Sequence, residues 1–388
     1  MKKLLLILIT LTFLTGCYNY RELNDLAIVT AVSISKEKDN YNIAVQVVNP
    51  KKDQDTSSSN EPDFIVYKSK GETLQAAFES LVKESPKRMY KTQMQILIID
   101  EKMAKNNIKE VFEYLARDPE IRNEFNVLIG KSDNILETLT PLNNLSSQNI
   151  LDSLKASSKY LGNTNLLTFN ELLSDYQNEK TEMAIPVIKL TSQKNKDDKN
   201  TEKILEKTTT TPAIVLDNIS IFKDNKLIGY LSTKETVSYN FINNNITLTN
   251  IKKDYPNNKY IAYKILKSKS KLEVTPKKHT ITLTIKGNAE INEATYNIDL
   301  SKEKNIKKLE KSLNKRLEKM ITSSFNSTRK KYNSDIYGFE DLYYKKDPKY
   351  YNKIKKDWDS KEFQKIKLKV KSNIKIVEQG NILGKIKG

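Results

Sequence analysis

The chain is poor in the residues on which catalytic and metal sites are most often built. Its 388 residues include one cysteine, Cys17, and one histidine, His279. A disulfide within the chain is therefore excluded, as are zinc sites that need several Cys or His ligands. The ten glycines are scattered, and neither a P-loop nor a dinucleotide-binding fingerprint occurs. Because the spacing of the 48 Asp and Glu residues singles out no catalytic pair either, we expect no enzyme, no cofactor and no metal site.

Arginine is also scarce, although the formal net charge is +18. Only six of the 66 Lys and Arg residues are Arg, and surfaces that read bases or bind phosphate groups usually favour the guanidinium fork. The abundant Lys, Asn, Ile and Tyr are typical of an AT-rich genome. Nucleic acid is therefore not the expected partner. An anionic membrane surface or wall polymer fits better, because point charges suffice there.

Long apolar runs are absent apart from one at the start of the chain. This run, Leu4–Leu14, follows Lys2 and Lys3, and it is shorter than the about 20 residues that a membrane-spanning helix needs. A positive segment followed by a short apolar segment is typical of a secretory signal peptide. We therefore predict that residues 1–16 are a signal peptide rather than a transmembrane helix.

The apolar run ends in the letters "LTGC", where the cysteine is Cys17. This arrangement resembles the bacterial lipobox, in which the chain is cleaved before the cysteine and the thiol receives a diacylglyceryl group. Two or three acyl chains anchor a protein stably, whereas one is marginal. Cys17 is therefore the predicted lipid attachment site (diacylglyceryl and N-acyl), and the mature chain is predicted to be an ectodomain on a lipid tether. The alternative is an ordinary signal peptide in which Cys17 occurs by chance.

The rest of the chain mixes strand and helix patterns without a regular alternation, which favours an α+β fold of mixed sheets and packed helices. "YNIAVQVV" alternates as a strand does, and "GETLQAAFESLVKE" has a helical apolar face. We predict two or three domains in the ectodomain. Residues 17–190 form an N-terminal α+β region that could divide into two subdomains, residues 191–210 a polar linker or long loop, and residues 211–388 a C-terminal α+β domain.

Two amphipathic patterns occur in the C-terminal half. The first is a helix whose apolar side chains recur at steps of three and four residues between Ile306 and Phe325. Packing against its own domain is favoured over binding to a membrane surface, because the polar face carries both signs of charge. The second is "KIKLKVKSNIKIV", a strand with lysines on its outer face. Such lysines commonly prevent pairing between sheet edges; docking of anions is the alternative.

A set of segments, in order and spacing, resembles the Ger(x)C spore-germination lipoproteins, the C subunits of nutrient germinant receptors. The N-terminal segments are "GCYNYRELNDLAIVTAVSI", "GETLQAAFESLVKESPKRMY" and "LIIDEKMAKNNIKEVFEYLARDPEIRNEFNVLI". The C-terminal segments are "AIVLDNISIFKDNKLIGYLSTKET" and "KKYNSDIYGFEDLYYKKDPKYYNKIKKDWDSKEF". The resemblance covers nearly the whole chain outside the predicted linker.

The resemblance implies a non-enzymatic receptor subunit at the outer face of the inner spore membrane. Its partners would be two integral-membrane subunits, an A-type subunit and a permease-like B-type subunit, and the assembly would start germination in response to small nutrients. Two other hypotheses stay open. A substrate-binding lipoprotein of a transporter would need a cleft between two similar α/β lobes, and a wall-active hydrolase would need a carboxylate pair.

Five smaller features are possible sites. "ARDPEIRNE" is either a partner surface or a set of local ion pairs and caps at a helix end, and the second interpretation is favoured. "SDIYGF" and "DWDSKEF" are more typical of turns and core packing, and Trp358 is expected to be a core or interdomain anchor. His279 follows "TPKK" at the start of a strand, an exposed position that does not suggest catalysis.

Overall fold

The computed structural model describes residues 25–49, 64–131, 147–190 and 214–378. Within these ranges the chain forms two β-sheets, one of nine strands and one of four, with helices packed against both. The predicted α+β class is confirmed.

The first sheet contains the nine strands that come first along the chain. They are β1 (Leu26–Glu37), β2 (Asn40–Val48), β3 (Phe64–Gly71), β4 (Arg88–Tyr90), β5 (Ile96–Asp100), β6 (Asn126–Gly130), β7 (Ala184–Leu190), β8 (Ile214–Lys223) and β9 (Lys226–Tyr230). Their order across the sheet is β3-β2-β1-β5-β6-β7-β8-β9, with β4 beside β1. The central strands β1, β5, β6 and β7 run parallel, whereas the outer hairpins are antiparallel.

Helices cover both faces of this sheet. They are α1 (Leu74–Ser80), α2 (Glu101–Asn106), α3 (Lys109–Arg117), α4 (Ser147–Tyr160) and α5 (Phe169–Gln177). Side chains of α1, α3 and α5 pack on one face, and Ile150 and Leu154 of α4 pack on the other. Strands buried on two faces are apolar at consecutive positions, which is why Ile96–Ile99 of β5 form an unbroken apolar run.

The hairpin of β8 and β9 belongs to the first sheet. β8 pairs antiparallel with β7, so that Ile185 lies opposite Ser220, and β9 pairs with β8. The sequence assigned this hairpin to a C-terminal domain that starts at residue 211. These two strands follow the polar segment 191–210 in the chain, but their hydrogen bonds place them in the first sheet. Strands that are consecutive in the chain, such as β7 and β8, tend to pair.

The second sheet has the strand order β10-β11-β12-β13. Its strands are β10 (Leu248–Asp254), β11 (Tyr260–Thr275), β12 (Thr280–Ala294) and β13 (Lys367–Glu378), and its helices are α6 (Thr233–Ile242), α7 (Glu303–Tyr332), α8 (Phe339–Lys346) and α9 (Pro348–Ile354). β12 and β13 run parallel, and the chain between them contains α7, α8 and α9.

α7 packs on the second sheet with its apolar side chains inward, as the sequence predicted. The seven periodic residues are all buried: Ile306, Leu309, Leu313, Leu317, Met320, Ile321 and Phe325. They share one hydrophobic cluster with Ile281 and Leu283 of β12 and Leu368 of β13. Trp358 is buried in the same cluster, with its ring 5.0 Å from that of Tyr343, so it is a core residue as expected.

Candidate functional site

Cys17, the predicted lipid attachment site, lies outside the described residues, which begin at Asp25. The lipobox prediction and the signal peptide over residues 1–16 therefore stay predictions. Leu26 begins β1, which lies beside both β2 and β5. A lipid on Cys17 would thus be attached a few residues before a strand in the middle of the first sheet.

His279 is placed at the turn between β11 and β12. Its backbone is left-handed, with φ 45°, and its carbonyl accepts a hydrogen bond of 2.8 Å from the N–H of Lys367. The ring Nδ1 lies 3.4 Å from one carboxylate oxygen of Glu362, and the other oxygen accepts a hydrogen bond of 2.6 Å from Lys365. These contacts join the start of β12 to the start of β13, which is a structural role.

"ARDPEIRNE" ends α3 and contributes ion pairs to a neighbouring segment. Asp118 accepts from the ammonium of Lys91 within the protein, and Glu120 accepts from Arg88 at the surface. The ammonium of Lys91 also lies 5.0 Å from the ring centre of Phe78. Asp118 and Glu120 therefore form ion pairs with cations of the segment around β4, whereas the sequence predicted pairs within the motif.

A dense set of hydrogen bonds joins the two sheets near the end of α7. Lys223 at the end of β8 donates to the carbonyl of Asn333 at 2.7 Å, and the hydroxyl of Ser334 donates to the carbonyl of Phe222 at 2.6 Å. Gly229 of β9 lies directly against the ring of Tyr332, where a Cβ would clash. We call this region, built from residues 181–182, 222–230 and 332–340, the junction.

"SDIYGF" forms the turn at the centre of the junction. The buried carboxylate of Asp335 accepts from the backbone N–H groups of Phe339 at 3.1 Å and Glu340 at 2.7 Å, and so caps α8. Gly338 has φ 66°, a left-handed conformation that glycine adopts without strain. The interpretation of this motif as a turn and core element is confirmed.

Three carboxyl groups of the junction hold protons more tightly than usual. Burial raises the pKa of Asp335 to about 7, although the N–H groups of Glu340 and Phe339 oppose the shift. Burial also raises the pKa of Glu182 to about 7 and that of Glu340 to about 7. The charge of the junction therefore changes in the range from acid to neutral pH.

A second link ties the loop after α4 to the second half of the chain. The buried amide of Asn240, on α6, donates to the carbonyls of Gly162 and Thr164 at 2.8 Å each. The hydroxyl of Thr249 on β10 donates to the carbonyl of Leu161 at 2.8 Å. The two sheets are therefore connected at two places, and one hydrophobic cluster runs between them through Ala184, Ile219 and Ile221.

A solvent-open hollow of about 700 Å³ lies on one face of the first sheet, over β1, β2 and β3. Its lining is mainly polar and includes Ser33, Ser35, Asn42 and Asp100. Strands of the first sheet supply most of its lining, together with Glu84 and Lys102. The described parts of the chain do not form two similar α/β lobes, since the sheets differ in strand number and order, so they lack the cleft that a solute-binding lipoprotein requires.

The described residues contain no group of three or more His, Cys, Asp or Glu side chains that could hold a metal ion. Among the helices of those same ranges, none is both long enough and apolar enough to cross a membrane. The long helix α7 carries charged side chains along its exposed face.

Comparison with known proteins assigns both halves of the chain. Residues 19–190 match the family described as the spore germination protein N-terminal domain. Residues 217–380 match the family described as spore germination B3/GerAC like, C-terminal. The chain belongs to the GerAC family of spore germination proteins. The GerAC N-terminal match ends before β8, and the C-terminal match begins within it.

Curated relatives match along nearly their whole length. Spore germination protein KC of Bacillus subtilis (strain 168) is 27% identical over 97% of this chain and 95% of the relative. Spore germination protein B3 of the same strain is 24% identical over 95% of each. Spore germination protein GerQC of Bacillus cereus is 23% identical over 98% of this chain and 99% of the relative.

A solved structure shows the same fold. The crystal structure of the GerBC protein superposes with a TM-score of 0.56 at 18% identity, and the match covers 89% of this chain and 96% of that chain. The fold is therefore shared at low sequence identity.

The sequence did not reveal the contacts across the junction. Glu182, Lys223 and Asn333 belong to no recognisable motif. Each of them makes its hydrogen bond across the junction with a residue that is far away in the chain. One signal was available, since Asp335 and Gly338 in "SDIYGF" have the spacing of a capped turn. That signal located the turn but gave no information on its partner, the end of β8.

Proposed function

We propose that the chain is the lipid-anchored, non-enzymatic C subunit of a nutrient germinant receptor in the inner spore membrane. Two observations support the proposal together. Both halves of the chain match the GerAC family, and the lipobox ending at Cys17 follows a short apolar segment. The lipid would hold the two-sheet ectodomain at the outer face of the membrane.

Its partners in this proposal are the A-type and permease-like B-type integral-membrane subunits. The ectodomain would contribute contacts to that assembly and would catalyse no reaction of its own. The hydrogen-bonded junction and the shared hydrophobic cluster support a role as a rigid element, because they couple the two sheets. The alternative of a solute-binding lipoprotein is less well supported, since it needs two similar lobes.

The proposal is tested by Cys17→Ala expressed from the native locus. This variant should lose labelling by radioactive fatty acid and should germinate far more slowly with nutrients, while spore dormancy is kept. Tyr18→Ala is the matched control, because it alters the neighbouring residue and leaves the lipobox intact. Normal germination by spores whose protein carries no lipid would refute the anchored receptor subunit.

A further inference from the structure

The open face of the second sheet is lined with lysines. The helices α7, α8 and α9 lie on the other side of the sheet or at its edge. The odd-numbered residues of β13, and the residues of β11 and β12 that lie opposite them in the register, point to solvent. We call the six side chains Lys269, Lys271, Lys286, Lys367, Lys369 and Lys371 the lysine face. All six are exposed.

Strand register brings these lysines close together. Lys269 lies opposite Lys286 on neighbouring strands, and Lys271, Thr284 and Lys371 occupy one rung across three strands. Adjacent strands are separated by about 4.8 Å, so Lys271 and Lys371 are roughly 10 Å apart at their Cα atoms. Like charges directly opposite one another destabilise a sheet. The directly opposed pair Lys269 and Lys286 is therefore unfavourable unless anions lie nearby.

Few acidic groups compensate these charges. Among the described residues on the four rungs from Lys269 to Thr275, the single carboxylate is Glu273, which pairs with Lys271 at 2.9 Å. Thr280, Thr282 and Thr284 form the centre of the face. Their short side chains leave the ammonium groups on both sides exposed to solvent.

Protection of the sheet edge does not explain the lysines, because side chains of α7 already perform it. The edge of β13 faces Glu310, Asn314 and Glu318, which are spaced four residues apart on one side of the helix. They accept from the backbone N–H groups of Ile376, Ile374 and Ser372 at 3.0, 2.8 and 3.0 Å respectively. The outward lysines are therefore available for another role.

We propose that the lysine face docks on the surface of a bilayer rich in acidic phospholipids. Lysine suits this partner, since a diffuse layer of headgroup phosphates needs point charges rather than guanidinium forks. A protein partner is a poorer fit, because the anchors of such interfaces are usually Trp, Tyr or Arg, and none of the residues on these four rungs is of those types. The proposal rests on the proposed function in one point, that a lipid on Cys17 holds the chain at a membrane.

The lysine face would then set the orientation of the tethered ectodomain. Lys269, Lys271 and Lys286 also line an open hollow of about 660 Å³ on this face. Each lysine near an anionic leaflet strengthens partitioning by roughly fivefold. Together with the lipid, the face would supply the second signal that stable attachment requires.

The experiment measures flotation of purified protein with vesicles. The protein is the chain from residue 18 onward, which keeps every described residue and has no thiol to be acylated. Vesicles are either pure phosphatidylcholine or equal parts of phosphatidylcholine and phosphatidylglycerol. The face variant combines Lys269→Gln, Lys286→Gln, Lys369→Gln and Lys371→Gln.

A helix variant of equal charge is the matched control. It combines Lys304→Gln, Lys308→Gln, Lys311→Gln and Lys319→Gln, all at exposed positions on α7. The unchanged chain should float with the anionic vesicles at low salt and not with neutral ones. The face variant should partition about tenfold or more weakly, whereas the helix variant should stay within about threefold of the unchanged chain. Equal urea midpoints for the three proteins would show that folding is unaffected.

Three results would overturn the proposal. The first is absence of flotation with anionic vesicles, and the second is an equal loss in the face and helix variants, which would reduce the effect to net charge. The third is retention on an acidic polypeptide or wall polymer, lost in the face variant, without vesicle binding. None of these results depends on germination, so a failure here is distinguishable from a failure of the Cys17→Ala test.

Discussion

The two sheets of this protein are covered by helices in different ways. The first has helices on both faces, with α1, α3 and α5 on one side and α4 on the other. The second has helices on one face, and its other face presents Lys369, Lys371 and their neighbours to solvent. Both sheets are nevertheless parts of one folded chain, joined at the junction.

Because of this difference, some strand residues contribute to packing, whereas others are exposed and do not determine the stability of the fold. On the first sheet, a change on either face of a central strand alters packing. On the second sheet, the outward lysines are exposed to solvent, so a strongly basic composition there is not required by the core. The comparison makes three predictions, in order of decreasing effect.

The largest effect is expected for Phe325→Ala under α7. Phe325 is fully buried, and its ring lies 5.4 Å from that of Tyr337 and 5.6 Å from that of Phe339. Since the second sheet has one covered face, this aromatic cluster supplies much of its stability. The free energy of unfolding in urea should fall by about 3–5 kcal/mol.

Leu154→Ala provides the comparison on the first sheet. This residue is also fully buried, but α4 covers just one of two packed faces there. We expect a loss at the lower end of the range of about 2–5 kcal/mol. A loss for Leu154→Ala that exceeds the loss for Phe325→Ala would show that the doubly covered sheet is the more sensitive one.

The second prediction concerns pH and the junction that couples the sheets. Unfolded carboxyl groups lose their protons near pH 4, whereas Asp335, Glu182 and Glu340 keep theirs to about pH 7 when folded. The folded state therefore binds more protons in this window. The free energy of unfolding should decrease as the pH rises from about 4 to about 7 and level off above it.

Asp335→Asn tests the origin of this slope. The variant cannot ionise at residue 335, so its urea midpoint should vary less with pH across the same window. At low pH, where Asp335 is protonated, the variant should lie closest to the unchanged chain but stay less stable, because the amide nitrogen of Asn cannot accept the backbone N–H that one oxygen of Asp335 binds. Asp152→Asn, at an exposed position of α4, is the control and should keep the full slope. An unaltered slope in Asp335→Asn would rule out Asp335 as a source and leave Glu182 and Glu340 as the remaining junction groups.

Much of the fold could be predicted from periodicity. The alternation in "KIKLKVKSNIKIV" predicted a strand with one buried face, and the three- and four-residue steps from Ile306 to Phe325 predicted α7. The parallel arrangement of β1, β5, β6 and β7 was not predicted. Short apolar runs such as "ILII" show that a strand is buried on two faces, but they carry no information on strand direction or order.

Less of the candidate site could be predicted. The turn around Asp335 is local, so the sequence indicates it. The lysine face depends on register between strands that are far apart, which places Lys271 and Lys371 on one rung. The spacing of lysines within β13 predicts an outward face of that strand. The lysines that β11 and β12 add to this face can be identified only when the strand register is known.

The smallest of the three effects is expected for Asn314→Ala, which tests how the edge of the second sheet is protected. Its side chain accepts from the N–H of Ile374 at 2.8 Å and donates to the carbonyl of the same residue at 3.0 Å. Removing both bonds leaves two edge groups of β13 unpaired, at a loss of about 1–3 kcal/mol in urea unfolding. Asn326→Ala, at an exposed position of the same helix, should change stability by less than about 0.5 kcal/mol. Equal effects of the two variants would mean that α7 does not protect this edge, and the outward lysines would then regain edge protection as their explanation.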